Sequence, residues 1–295
     1  MNEAALLWRI TGNDLRDTSY LLGTMHTVEG SFLNDIPGFR KAFRRTKQLA
    51  TEIDYYSLPT KSAKSKKKNN AINNWRMPID TTYEQLYSDV HKYQTVDSAL
   101  KVKYPTYEKM KPAFWIMSLG HAIQYSGLER NGMMDAYILL LGYHNSKDLF
   151  FMETIDSNRN SIDSSDSVYS SIVNDVSLSE QAESLFDWVN AKDSVKLFYD
   201  SLKMDYKQNG LKSILCMMSD ESELISFLDS ATLANKAKID QILISDRNEK
   251  WMINILPNIR KASSLIAVGA KHLIGKDGLI AKLRSLGYKV EPVTE

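Results

Sequence analysis

One cysteine, Cys216, stands alone in 295 residues, so neither an internal disulfide nor a cysteine-built zinc site is available. An excess of one charge is lacking as well. The 37 Lys and Arg residues are matched by 36 Asp and Glu, and a net charge of +1 gives no long-range pull toward nucleic acid or an anionic membrane surface. A nucleic-acid partner is therefore not expected. Long apolar runs are missing, since nothing approaches the roughly 18–20 residues that a membrane helix needs. Met1–Leu7 has neither the basic start nor the apolar stretch of a secretory signal. No membrane span is expected in this chain. Leu6-Leu7-Trp8-Arg9-Ile10 already reads as a strand, however, and a protein exported or anchored through a leader since removed would look the same.

What is present is the balance of an ordinary globular protein, 43% hydrophobic and 25% charged. A chain of this length can enclose a core without a disulfide or a structural metal. Short apolar runs bounded by Gly, Asp or charge predict strands at Leu6–Thr11, Ser19–Leu22, Gln48–Ile53, Asp148–Met152, Ser264–Val268 and Tyr288–Val293. Asn13-Asp14 is a turn signal that makes a hairpin of the first two. Phe39–Thr46 and Leu279–Leu286 are short amphipathic segments between strands, the kind of crossover a parallel sheet requires, and Gly287 is the expected left-handed stop of the second. The expected fold class is α/β. A central mixed sheet draws on both chain ends, and a large helical insertion occupies about 82–262, interrupted by the strand near 148–152, all within one domain spanning 1–295.

Inside the insertion, Met110, Phe114, Met117 and Ala122 suggest one buried stripe, and Leu185, Trp188, Val189, Leu197 and Phe198 recur at helical spacing. Lys61–Asn74 and Ser157–Ser171 are too polar for a core and read as solvated loops. Cys216, beside Met217 and Met218, reads as packing rather than as a nucleophile.

Histidine carries the first chemical signal. Gly23-Thr24-Met25-His26 and Gly269-Ala270-Lys271-His272 repeat one pattern, each directly after an apolar strand. With 13 Gly and 5 His, chance supplies about 0.2 such spacings in the chain. In open α/β sheets, groups that meet ligands collect just beyond the carboxyl ends of strands, and a glycine there lets the backbone turn. Glu52 and Glu153 stand at comparable strand ends among apolar neighbours, where an ionised carboxylate needs a metal, an arginine or several donors. Two histidines with one or two carboxylates form a common ligand set for a catalytic divalent ion, Mn, Co or Zn among the choices. A carboxylate outside that set can activate a bound water as a base. His91, His121 and His144 lack a companion pattern and read as surface or packed polar groups.

Leu7-Trp8-Arg9-Ile10, Ser19 through His26 and Thr51-Glu52-Ile53-Asp54 resemble the opening of the TraB/GumN family, which includes the Tiki proteases. Arg247-Asn248, Ala267 through Leu273, Gly278-Leu279 and Gly287-Tyr288-Lys289-Val290 resemble its closing segment, and Gly132-Met133-Met134-Asp135 and Phe151-Met152-Glu153-Thr154 match in kind. The resemblance implies a metal-dependent hydrolase, metallopeptidase-like, acting on a peptide or protein substrate. By position it implies His26, His272 and Glu52 around a divalent metal ion, with Arg247 and Asn248 as accessory catalytic residues and Glu153 and Asp135 as additional site residues. Related folds include erythromycin-esterase-like enzymes and a haem-binding group, so the architecture does not by itself fix the chemistry. The alternative is a non-catalytic binding protein that holds a peptide, haem or metal in the same crevice. Plainer readings accompany each residue: the histidines bond backbone, Glu52 and Glu153 pair Arg247 structurally, Arg247 and Asn248 secure a helix end, and Asp135 caps a helix or loop.

Overall fold

The structure, a computed structural model, describes residues 4–56, 73–129, 132–153, 176–219, 237 and 240–294. The lysine-rich segment as far as residue 72, Ser157–Ser171, Thr154 and the Cys216 side chain lie outside the described residues.

All six expected strands are present and form one mixed sheet: β1 (Leu7–Thr11), β2 (Ser19–Thr24), β3 (Gln48–Thr51), β4 (Asp148–Phe151), β5 (Ser264–Gly269) and β6 (Lys289–Pro292). Their order across the sheet is β4-β3-β5-β2-β1-β6. β2, β5, β3 and β4 run parallel, whereas β1 is antiparallel to both β2 and β6. The two chain ends therefore close on each other through Trp8 opposite Pro292 and Thr11 opposite Lys289. The β1–β2 turn forms where expected, with Gly12, Asn13 and Asp14 all at positive φ, the conformation that Gly, Asn and Asp tolerate best. Gly287, at φ 87°, ends its helix as expected.

Helices cover the sheet and build the insertion: α1 (Phe39–Arg45), α2 (Tyr83–Leu86), α3 (Val90–Leu100), α4 (Pro112–Gln124), α5 (Met134–His144), α6 (Leu178–Asn209), α7 (Leu211–Ser219), α8 (Asp246–Lys261) and α9 (Leu279–Ser285). β2 and β3 are buried at every position because helices lie on both faces, as parallel strands require. α8 shows why the sheet side of a helix is legible. Asn248, Trp251, Met252, Ile255 and Ile259 are its buried residues and recur every three to four positions.

A second hydrophobic cluster lies within the insertion, where Tyr83, Leu100, Tyr107 and Trp115 pack against Ala182 and Leu185 of α6. Here the expected stripe is corrected. The segment opens with a single 3-10 turn at Tyr107–Lys109, and the α-helix starts only at Pro112, whose fixed φ suits a first helical position. Pro112, Ala113 and Trp115 are the buried residues of α4, while Met117 and Ala122 are exposed. Leu197 of α6 is likewise exposed, unlike Leu185 and Trp188.

Candidate functional site

Because four adjacent strands run parallel, their carboxyl ends share one edge of the sheet. His26 follows β2, His272 follows β5, Glu52 follows β3 and Glu153 follows β4, so the side chains are laid out in the order of their strands. Strands are spaced by ~4.8 Å, which gathers residues hundreds of positions apart into one short row. His26, Glu52, Arg247 and His272 line a common cavity of about 250 Å³. His91, His121 and His144 are exposed and outside this row, as expected.

The first glycine of each histidine pattern does something other than turn the chain. β2 runs through Gly23 to Thr24, and the Gly23 N–H donates to the Leu6 carbonyl at 2.9 Å. A Cβ at Gly23 would meet Leu273 Cδ1 at 3.0 Å, Leu211 Cδ2 at 3.1 Å and Ala270 Cα at 3.2 Å. Close packing against the other histidine's turn is what demands glycine there. Gly269 ends β5, and its N–H donates to Glu52 Oε1 at 2.8 Å, binding the β5 end to the carboxylate that follows β3.

His26 is held by α5. The Met134 N–H donates to the Val28 carbonyl at 2.9 Å, which brings the first turn of α5 beneath the loop after β2. Asp135, buried in that turn, accepts from Thr24 Oγ1 at 2.5 Å through one oxygen and from His26 Nδ1 at 2.7 Å through the other. It caps no helix end; its carboxylate faces the histidine. The Asp135 charge outweighs desolvation and raises the His26 pKa to about 9, so this ring is an imidazolium at neutral pH. The His26 side chain is 43% exposed and lines the cavity, with Nδ1 engaged by Asp135.

His272 has the opposite character. Asn248 Nδ2 donates to the carbonyls of His272 at 3.1 Å and Asp277 at 2.8 Å, which orients its amide. Asn248 Oδ1 is then the acceptor for His272 Nδ1 at 2.8 Å, and the Nε2 lone pair accepts from Arg247 Nη1 at 3.3 Å. Burial depresses the His272 pKa to about 3, against the opposing pull of Glu52, and leaves it neutral. Its ring packs against Trp251 at a centroid distance of 4.3 Å, tilted by 36°.

Arg247 joins the remaining members. Its Nη2 donates to Glu52 Oε2 at 2.7 Å, its Nε to Glu153 Oε1 at 2.7 Å, and the guanidinium lies 4.7 Å from the Trp251 ring centroid. Trp251 Nε1 also donates to Glu153 Oε1, at 2.9 Å. Burial alone would raise the Glu52 pKa, but His272, once protonated at acid pH, and the cations Arg247 and His26 hold it down at about 2. The plainer expectation for both glutamates, pairing with Arg247, is therefore realised. A turn of π-helix at Gln241–Ser245 immediately precedes α8, a local geometry frequent at functional sites, and it sets Arg247 at the start of the helix.

The residues fit a divalent ion in part. Each histidine lines the cavity with Nδ1 held by a side-chain oxygen, the second-partner arrangement of metal-ligating imidazoles, but His272 Nε2 already accepts from Arg247 Nη1 at 3.3 Å. An imidazolium does not ligate, so His26 offers Nε2 only after releasing a proton. Glu52, the expected third ligand, has one oxygen on Gly269 and the other on Arg247. Among the described residues, no group of three or more His, Cys, Asp and Glu side chains is disposed to hold a metal ion.

Sequence reasoning did not single out Trp251, Thr24 or the apolar residues of the cavity. Trp251 sits one helical turn beyond Arg247, a spacing that places both on one face of α8. Thr24 lies inside the Gly-x-x-His pattern itself. Among the described residues no helix is long and apolar enough to cross a membrane.

The TraB/PrgY/gumN family profile matches residues 6–292, nearly the whole chain, and the protein belongs to that family. No curated protein and no solved structure matches it.

Proposed function

We propose that this TraB/PrgY/gumN family member is a metal-dependent hydrolase of the metallopeptidase kind, with its centre at His26, His272, Glu52 and Arg247. One observation carries the reading: two equivalent strand ends deliver two imidazoles to one cavity, each oriented by a side-chain oxygen on Nδ1. His26 and His272 would hold a divalent ion through their Nε2 atoms, His26 after losing a proton and His272 after exchanging its Arg247 hydrogen bond for the ion. Such an ion, when bound, lowers the pKa of its water to about 7 and polarises a substrate carbonyl. The protein's own groups supply the rest. Asp135 and Asn248 fix the two rings, removing the rotational freedom that would otherwise have to be lost on binding. Glu52 stays anionic across the neutral range and locks Arg247 in place. Arg247 remains cationic at any relevant pH and lines the cavity, which suits it to stabilise an oxyanion.

A second reading, a binding protein without turnover, is favoured by one feature. Arg247 already neutralises Glu52 and Glu153, so the carboxylates are satisfied with no ion present. Peptide product is what separates the two. The test is to measure bound metal in the purified protein and peptide hydrolysis after restoring Mn, Co or Zn, on wild type, His26→Ala, His272→Ala and Arg247→Ala. Either histidine variant should lose metal and turnover together, while Arg247→Ala should lose turnover with most metal retained. Full hydrolysis by the metal-free protein, or unchanged activity in both histidine variants, would overturn the hydrolase centre as drawn.

A further inference from the structure

The cavity that holds the two histidines also has apolar lining residues, which the chemistry above does not use. Met25 follows β2, Leu202 projects from the last third of α6, Ile214 from α7 and Ile244 from the π turn ahead of α8, and all four line the same cavity. Ile214 is buried, while Met25, Leu202 and Ile244 each keep part of their surface open. Four separate segments thus bring apolar groups to the cavity that also holds the charged cluster. Partly open apolar surface beside ions gains its full stabilisation only when something apolar covers it. Lys271, on the same lining, is paired with Asp240 at 2.6 Å, so its charge is directed at a neighbour rather than at an acidic ligand. At about 250 Å³ the cavity falls below the ~300–1,000 Å³ that encloses a whole organic ligand. It suits one side chain of something longer.

We propose that these apolar lining residues form the subsite for one aliphatic side chain of a peptide, of leucine or methionine size, held next to the bond presented to His26 and His272. The position of that bond rests on the hydrolase reading; the binding of the side chain does not. Leu202 and Ile244 set the size of the subsite. In apolar pockets one methylene discriminates by about 10–200-fold, so a leucine side chain should be preferred over alanine by tenfold or more.

The experiment combines two readouts on the intact protein. N-acetyl amides of leucine, alanine, phenylalanine and aspartate are titrated against methyl-labelled protein, reading the Met25 methyl signal, for wild type, Leu202→Trp, Leu202→Ala and Ile244→Ala. A mixed peptide library is then incubated with each and its cleavage sites are mapped by mass spectrometry. The leucine amide should bind at least tenfold more tightly than the alanine and aspartate amides. Leu202→Trp should lose that preference, and Leu202→Ala and Ile244→Ala should shift it toward phenylalanine. The two truncations keep the test decisive if the tryptophan variant fails to fold. Equal binding of all four amides, or leucine binding unchanged in every variant, would overturn the subsite. Leucine-selective binding with no peptide cleaved supports the subsite and defeats the hydrolase reading. Cleavage with no aliphatic preference does the reverse.

Discussion

The ends of β2 and β5 carry the same four-residue pattern and lie side by side, yet their histidines differ in charge. His26 rests on a buried carboxylate, Asp135, and is held protonated to about pH 9; His272 rests on a neutral amide, Asn248, and stays neutral down to about pH 3. The pattern places a ring at a strand end, and the partner on Nδ1 decides what that ring is. Two rings so displaced in opposite directions form an acid and a lone-pair donor within one cavity, the pairing that active sites use to divide roles.

Breaking the ion cluster beside the two ends should have the largest effect. Arg247→Ala would leave Glu52 and Glu153, both buried, without their common cation. Loss of one partner from a buried ion cluster costs about 3–5 kcal/mol, measurable as a lower denaturant midpoint. A loss under about 1 kcal/mol would mean that other donors satisfy the carboxylates. Arg247→Lys should recover only part of the stability, because an ammonium cannot bridge two carboxylates as a planar fork does.

Exchanging the partners sharpens the contrast. Asp135→Asn should bring the His26 pKa down from about 9 toward 6.5, and Asn248→Asp should lift that of His272 from about 3. The consequences for stability have opposite signs. A raised histidine contributes fully below pH 6.5 and loses its contribution as pH rises through 9, so Asp135→Asn should flatten the alkaline limb of the urea midpoint against pH. At the acid end the unfolded chain takes up protons that buried His272 refuses, and stability falls from pH 6.5 toward 3. Glu52 adds to the same acid loss, its contribution being present above pH 4.5 and lost as pH falls through 2. A midpoint that does not change with pH in the wild type would contradict both assignments.

The two glycines give the smallest and most local comparison. Gly23→Ala forces a methyl against Leu273, Leu211 and the Ala270 backbone, and should cost about 1–3 kcal/mol in thermal or urea unfolding. Gly269→Ala brings a methyl to 3.3 Å from Glu52 Oε1, one close contact and a looser one than the three at Gly23, so its stability loss should be the lesser of the two. Equal losses would show that packing between the strand ends is not what distinguishes them.

How much of this was legible beforehand follows from the physics of each part. Strands announce themselves by short apolar runs bounded by turn residues, and all six were placed, with β2 and β5 extending into the Gly-x-x-His patterns because Gly23 and Gly269 remain extended. The shared edge followed from parallel pairing alone, which is why His26, His272, Glu52 and Glu153 were found together. Helix faces in the insertion were less legible. Met117 and Leu197 have the spacing of core residues, but only tertiary packing decides which side of a helix is covered, and both lie exposed. The role of Asp135 was hidden for a related reason: a carboxylate in the first turn of a helix satisfies the helix dipole in any case. Its bond to His26 spans 109 positions and leaves no local trace.

The central claim is that one cavity holds one charged and one neutral histidine. The most direct measurement is the pH titration of the His26 and His272 ring nitrogens by nitrogen-15 NMR in the metal-free protein. The account predicts that His26 remains doubly protonated up to about pH 9, while His272 remains a neutral ring carrying its proton on Nδ1 down to about pH 3. Both rings titrating together near pH 6.5, or His272 carrying its proton on Nε2, would contradict it.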